Sequence, residues 1–359
     1  MGNNEVMKSF LPRTLERIRF HPSTTWFLSQ CAEARGMQEV WKKIKPETLK
    51  QLRESAIIQS SESSNRIEGV EVDRGRLIPL VLGKTRPRDR SEQEIVGYRK
   101  ALIWIHGSHS VIKIEPATIL KIHELAQGGL ISDAGKWKTK DNEIIEILQN
   151  GERKIRFKCV SAKETPRYVE QLCLSYRDTV NQSKLPELIS IFSFVFDFLC
   201  IHPFRDGNGR TSRLLNLLLL YQSGFEVGRY ISIERLIEST KDDYYKILAQ
   251  SSEGWHESKH DLIPWWNYSL SILKSAYQEL KERVERSTSG DTKGALIRQM
   301  VFSVSSPFTV AELCKEIPGI NRELVKKVLF KMKTEKIIEL IGKGRGAKWR
   351  RVSHVANSS

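Results

Sequence analysis

Apolar residues recur at three- and four-residue intervals along most of this chain, the period of helices with one buried face. Pro46-Glu47-Thr48-Leu49 opens one such helix, with proline and an acid in its first turn, and its apolar side runs through Leu49, Leu52, Ala56 and Ile57 toward Ser64 and Glu68. After a charged loop from Lys84 to Arg90, another helix begins near Ser91-Glu92-Gln93-Glu94 and buries Ile95, Tyr98, Ala101, Leu102 and Ile105. Ile119–Leu125 continues the period until Gly128-Gly129 ends it. From Pro186 to Cys200 the polar face disappears: Leu188, Ile191, Phe192, Phe194, Val195, Phe196 and Leu199 predict a central helix, covered on all sides. Leu214, Leu215, Leu217, Leu218 and Leu219 start a further helix that runs to about Gly224.

Two places depart from the helical period. Residues 135–147, ending in Glu143-Ile144-Ile145-Glu146-Ile147, have a partner at Lys154–Cys159, and Asn150-Gly151 between them is a hairpin turn signal. Near the C-terminus, Ser287–Thr292 is a linker by composition. Beyond it, Thr309-Val310-Ala311-Glu312 is a capping box, and Pro318-Gly319 turns the chain. Asn321 then caps a second helix that turns Leu324, Val325, Val328, Leu329 and Met332 inward and Arg322, Lys326, Lys327, Lys331 and Lys333 outward. Ile337–Ile341 and Ala347–Val352 pair around the basic segment Gly342-Lys343-Gly344-Arg345-Gly346. This arrangement resembles a winged helix-turn-helix, which implies that the second helix would enter a DNA major groove and the wing would touch backbone. Such modules also bind proteins, and both partners stay open.

Charge sharpens that reading. The chain of 359 residues, room for two or three domains, carries a net charge of +15. Between Lys293 and Arg351, fourteen Lys and Arg stand against five Asp and Glu, so +9 of that total lies in the last sixth. The apolar runs near 189–201 and 214–221 are shorter than the ~20 residues a bilayer needs. The N-terminus lacks the basic and apolar regions of a signal peptide, and Val6 argues against myristoylation at Gly2. Cys31, Cys159, Cys173, Cys200 and Cys314 are scattered and odd in number, which predicts reduced thiols, no membrane association and a cytoplasmic location.

One stretch interrupts the helices with chemistry: His202-Pro203-Phe204-Arg205-Asp206-Gly207-Asn208-Gly209-Arg210-Thr211-Ser212-Arg213. Pro203, Gly207 and Gly209 forbid a plain helix through it, so it reads as a loop entering a helix N-terminus, where backbone N–H groups and the positive dipole end favour an anion. Arg210 and Arg213 are permanently charged forks suited to phosphate oxygens. Asp206 offers a hard oxygen for Mg²⁺, and His202 can take a proton near neutral pH. Together they suggest chemistry on a Mg²⁺-bound polyphosphate. At each specified position the string resembles the Fic family motif, His-Pro-Phe-x-Asp-Gly-Asn-Gly-Arg-x-x-Arg.

That resemblance implies a mainly α fold: a Fic-type helical core with a β-hairpin flap, followed here by the α+β winged-helix domain. It implies transfer of AMP from ATP to a Ser, Thr or Tyr hydroxyl of a target protein. His202 would be the general base and Asp206 would hold Mg²⁺. The backbone of Gly207, Asn208 and Gly209, with the Asn208 side chain, would cradle the phosphates, with Thr211 and Ser212 in the same ATP-binding run. Arg210 would neutralise the β/γ end and Arg213 would clamp the γ-phosphate, while Phe204 anchors the loop. Tyr244 and Tyr245 resemble the aromatics near the adenine, with core tyrosines as the alternative. The hairpin resembles the flap, whose Asn142, Glu143 and Ile144 would align the target segment by main-chain pairing. Lys138 stands where many relatives have Arg, a departure that affects its contact. His106, His123 and His256 show no ligand spacing and read as ordinary.

Ser64 and Glu68, four residues apart, share a helix face, and Gly69 suits a helix C′ position. Beside a Fic motif, Ser64-Asn65-Arg66-Ile67-Glu68-Gly69 resembles the family's inhibitory motif, in the class with an N-terminal inhibitory helix. Arg213 could then pair with Glu68 or with the γ-phosphate, not both. The expected organisation is an N-terminal helical region over 1–95 with the inhibitory helix at about 46–69, a catalytic core over 96–284, a linker over 285–294 and a winged helix over 295–353. The alternatives are a DNA-binding regulator whose core senses nucleotide, an enzyme running AMP transfer in reverse, and one using another nucleotide donor. A homodimer is among the arrangements the sequence allows.

Overall fold

The computed structural model describes residues 7–128, 132–147, 152–288, 292–303, 307–317, 320–342 and 347–352. The chain forms two compact units, Met1–Leu280 and Lys281–Ser359. Among the described residues, no helix is long and apolar enough to cross a membrane.

The first unit is helical. After the short α1 (Pro12–Leu15) come α2 (Pro22–Ile44), α3 (Pro46–Ile67), α4 (Arg74–Val81), α5 (Arg90–Ser108) and α6 (Pro116–Ala126). A two-stranded antiparallel hairpin follows, β1 (Glu143–Ile147) with β2 (Arg153–Lys158), paired Glu143 to Lys158 and Ile147 to Arg153 with an irregularity between Ile144 and Ile145. The predicted turn at Asn150-Gly151 lies outside the described residues. Helices α7 (Thr165–Asn181), α8 (Glu187–Ile201) and α9 (Asn208–Gln222) complete the centre. Helices α10 (Ile233–Ser239) and α11 (Lys241–Ser252) follow, and α12 (Ile263–Thr288) begins in this unit and runs past Leu280. As its composition demands, α8 is buried from Leu188 to Ile201 and packs between α7 and α9.

Helix α3 lies against α10, α5 and α9. Ser60 donates to Glu234 at 2.7 Å, Tyr98 donates to the other Glu234 oxygen at 2.8 Å, and Arg66 forks onto Glu238 at 2.7 and 3.0 Å. The expected division at 95/96 is therefore corrected. Helix α5 runs through that point, and α3 packs on α5 and α9 within the unit that holds the loop bearing His202.

The second unit holds α13 (Thr292–Ser303), α14 (Val310–Glu316), α15 (Arg322–Thr334) and an antiparallel pair, β3 (Ile338–Ile341) with β4 (Lys348–Arg351). Ile297, Val301, Leu313, Val325, Leu329, Met332 and Trp349 form its core. Thr309 and Glu312 make the predicted capping box, and Asn321 caps α15. The linker expected over 285–294 is corrected as well, since α12 continues to Thr288 and α13 begins at Thr292. Pro318-Gly319 and most of the basic segment at 342–346 lie outside the described residues.

Candidate active site

Helix α8 ends at His202, whose φ of 52° is left-handed. Glycine usually takes this place, and a residue with a Cβ costs about 1–2 kcal/mol there, so the turn has to be held from outside. Lys138 holds it. Its N–H donates to the Pro203 carbonyl at 2.9 Å, and its Nζ to the Ile201 and His202 carbonyls at 3.3 and 3.0 Å. The imidazole Nδ1 lies 3.3 Å from the Leu199 carbonyl, so Nδ1 carries the proton and Nε2 is left basic. Burial, followed by the Lys138 charge, pulls His202 down to about 4, which keeps it neutral at neutral pH.

The loop after His202 closes on itself. Phe204 N–H donates to Asn208 Oδ1 at 2.9 Å, and Asn208 Nδ2 donates back to the Phe204 carbonyl at 2.8 Å. Asn208 Oδ1 and one Nδ2 hydrogen are thus engaged by the loop, which leaves the backbone N–H and the second amide hydrogen for a phosphate cradle. Phe204 is buried as expected, stacked on His123 with centroids 3.7 Å apart and flanked by Trp137. His123 Nε2 meets the Asp206 carbonyl at 3.0 Å and its Nδ1 accepts the Gly135 N–H at 3.0 Å. His123, which has no ligand spacing in the sequence, is a structural brace under the loop. Gly207 has φ 78°, and a Cβ on it would run into the Gln127 amide, so the turn requires glycine.

Helix α9 begins at Asn208, and Thr211 N–H makes the first bond back to the Gly207 carbonyl. The N–H groups of Asn208, Gly209 and Arg210 therefore have no acceptor within the helix, which makes its start an anion site. Glu68, at the C-terminal end of α3, lies across that start. A Cβ on Gly209 would collide with its carboxylate. Arg213 is buried and reaches Glu68 Oε1 with Nη2 at 2.7 Å, the Ser64 carbonyl with Nη2 at 2.9 Å and Ser64 Oγ with Nε at 2.8 Å. Burial works against the Arg213 charge, but the Glu68 carboxylate outweighs it and raises the pKa.

Arg210 is placed differently from its neighbour. It is 2% exposed, with Nη1 2.9 Å from Glu94 Oε2 and Nη2 3.7 Å from Asp206 Oδ1. Arg90 joins Glu94 Oε1 at 2.9 Å to Asp206 Oδ2 at 3.1 Å. Glu94, Arg90, Asp206 and Arg210 thus form a closed ring of alternating charge, and Arg210 is balanced by Glu94 before any phosphate arrives. Asp206 also accepts the Gly207 N–H at 2.6 Å. Sequence reasoning missed Glu94 and Arg90. The available signal was a glutamate four residues before Tyr98 on the buried stripe of α5, where a charge needs a partner.

The remaining expected residues spread outward. Ser212 Oγ donates to the Gly209 carbonyl at 2.8 Å, and Thr211 is fully buried. Tyr244 is buried beside a cavity of about 30 Å³ that Ser212, Arg213, Trp265 and Tyr268 also line. Tyr245 is half-exposed, its ring 5.2 Å from that of Tyr244. On the hairpin side, Asn142 Nδ2 donates to the Phe204 carbonyl at 3.0 Å, and Glu143 and Ile144 open β1.

A profile of the Fic/DOC family matches residues 113–220. A Fido domain-containing protein of Dictyostelium discoideum is 30% identical over 124 residues, covering 33% of this chain and 82% of that protein. The protein adenylyltransferase Fic of Nematostella vectensis is 26% identical over 219 residues, 57% of this chain and 46% of that protein, so the chain spans under half of this relative's length. Among solved structures, a Fic family protein of Desulfovibrio desulfuricans superposes with a TM-score of 0.61 at 21% identity, covering 93% of this chain and 97% of the other. Fic-1 of C. elegans does so at 0.52 and 20%, covering 74% of this chain and 73% of the other. The chain belongs to the Fic/DOC family.

Proposed function

We propose that this protein is a protein adenylyltransferase, in the class with an N-terminal inhibitory helix, that holds itself inactive through Glu68. The observation that carries the proposal is the Glu68–Arg213 ion pair at the open start of α9. A carboxylate bound there stands in for phosphate oxygens. While it stays, Arg213 has no charge to spare for a γ-phosphate, and the polyphosphate is repelled from the alignment that transfer needs.

With α3 displaced, the first turn of α9 and Arg213 would bind the phosphates. The target hydroxyl would attack the α-phosphorus as its proton passes to His202 Nε2, and the bond to pyrophosphate would break. Asp206 fits a Mg²⁺ ligand: it is an exposed carboxylate at the mouth of the anion site. Bound with the nucleotide, Mg²⁺ would neutralise charge on the phosphates. Asp206 would orient it, with Arg90 and Arg210 fixing the carboxylate. The flap edge at Asn142–Ile144 would align the target, and Tyr244 and Tyr245 would border the adenine.

The test uses wild type, Glu68→Gly and Glu68→Gly/His202→Ala with Mg²⁺ and ATP labelled on the α- or the γ-phosphate. α-Label on protein with Glu68→Gly alone is the expected result. γ-Label would make the enzyme a kinase, and loss of label from a pre-modified target would favour the reverse reaction.

A second reading concerns the C-terminal unit, taken as a winged helix. The outward side of α15 carries Arg322, Lys327, Lys331 and Lys333, all exposed. This favours a polyanion, and DNA fits that charge. It would add to catalysis in the first unit and leave that reading intact.

A further inference from the structure

Lys138 has no part in the chemistry above, yet its position is costly. It is 5% exposed, and burial pulls its ammonium down to about 8. A lysine is kept charged in such a place only where it makes bonds. Through its backbone and side chain, Lys138 takes the carbonyls of three successive residues, Ile201, His202 and Pro203, on either side of the left-handed histidine. These carbonyls stand at the C-terminal end of α8, where helix geometry leaves acceptors open and the dipole favours a cation. The same Nζ donates to Asn142 Oδ1 at 2.6 Å, and Asn142 passes the connection to the Phe204 carbonyl. One ammonium thus ties the start of the hairpin to the turn that carries the base.

We infer that Lys138 is the positioning residue that couples the flap to His202. It fixes the left-handed turn that aims Nε2, and through Asn142 it sets where the target-aligning strand begins relative to that atom. Lys138 neither gives nor takes a proton. The charged groups that act on the imidazole are Lys138, Arg156 on β2 and Glu68 on α3. Removing Lys138 takes away the largest cationic influence, so His202 becomes easier to protonate. The catalytic part of the inference rests on the proposed adenylyl transfer, whereas its geometric part does not.

The experiment places Lys138→Met, Lys138→Arg and Asn142→Ala in the full chain carrying Glu68→Gly. It follows the His202 ring by NMR titration and AMP transfer by steady-state kinetics. Lys138→Met is expected to raise the His202 midpoint by about one pH unit and to lower kcat by roughly ten- to a hundredfold, with KM for ATP within about twofold. Lys138→Arg should recover most of both. Asn142→Ala should leave the midpoint in place and lower kcat several-fold. A folded Lys138→Met protein with an unmoved midpoint, or with kcat within twofold of its parent, overturns the inference. If Lys138→Met does not fold, an unchanged kcat in Asn142→Ala overturns the coupling and a lowered one supports it. If the Glu68→Gly parent transfers no AMP while the midpoint still rises in Lys138→Met, the adenylyl-transfer reading falls and the positioning of His202 stands.

Discussion

Arg213 Nη2 and Glu68 Oε1 lie 2.7 Å apart, and the same carboxylate fills the space where a side chain on Gly209 would begin. One acidic group therefore neutralises the arginine and covers the start of α9. Because Arg213 is buried, the pair is little screened by solvent, and displacing Glu68 without a replacing anion would leave an uncompensated buried charge. A phosphate is such a replacement.

The serine of the same helix shares this hold. Arg213 Nε donates to Ser64 Oγ at 2.8 Å, a charge-assisted bond worth roughly 1.5–3 kcal/mol. Ser64→Ala keeps the backbone carbonyl and Glu68, so basal α-label incorporation should rise about tenfold, less than in Glu68→Gly. Labelling no higher than wild type would remove Ser64 from the brake.

The charge ring predicts unequal losses of stability. Glu94→Ala leaves Arg210 buried with only the more distant Asp206 carboxylate, at a cost of roughly 3–5 kcal/mol. Arg90 is 64% exposed, and Arg90→Ala should cost under about 1 kcal/mol. Urea melts of both variants test this. Equal shifts would mean that Glu94 does not anchor Arg210.

A buried polar cluster elsewhere predicts a hidden pH dependence. Asp197 accepts Ser9 N–H at 3.1 Å and Trp255 Nε1 at 2.7 Å, and Ser9 Oγ bridges it to His260 Nε2 at 3.0 Å. Burial raises Asp197 to about 6, so this carboxyl costs the fold stability as pH climbs from about 4 to 6. Burial lowers His260 to about 4, so this ring costs stability as pH falls from about 6.5 to 4. The two slopes oppose each other in wild type. Asp197→Asn keeps the packing and leaves the histidine slope alone, so that variant should lose about 3 kcal/mol more than wild type between pH 6.5 and 4. Parallel stability curves for the two proteins would refute the opposition.

For the C-terminal unit, Lys327→Glu/Lys331→Glu in the full chain should weaken duplex DNA binding at least tenfold at low salt. The wild-type affinity should fall steeply as salt rises. AMP transfer should stay unchanged. Wild type that binds no duplex at about 50 mM salt would turn the basic α15 toward an acidic protein partner.

What was legible in the sequence was local. His202 to Arg213 and Ser64 to Glu68 encode their loop and helix turn within a few residues, and the structure brings Glu68 and Arg213 together. The helix periods placed α3, α8 and the start of α5 within a residue or two of their observed bounds. Illegible were pairings set by packing across the chain. Glu94 with Arg210, His123 under Phe204 and Asp197 with Ser9 are each separated by more than eighty residues, and no periodicity joins them. Asn208 shows a subtler limit. Its place in the motif suggested a phosphate contact and gave no sign that the backbone of Phe204, four residues away, takes its Oδ1 and one Nδ2 hydrogen. The expected boundary at 95/96 falls inside α5, whose helical period runs on through it.

The seat of α3 on α10 would give the proposed brake a strength of its own. Ser60 and Arg66 fasten the helix to Glu234 and Glu238, so Glu68 acts as a tethered ligand present at a fixed effective concentration. On the proposed reading, ATP would compete with it for only the fraction of molecules in which the turn has lifted, and its apparent affinity for the productive pose would be its intrinsic affinity scaled by that fraction. Loosening Glu234 or Glu238, far from any reacting atom, would raise that fraction and tune the enzyme continuously between silence and full activity.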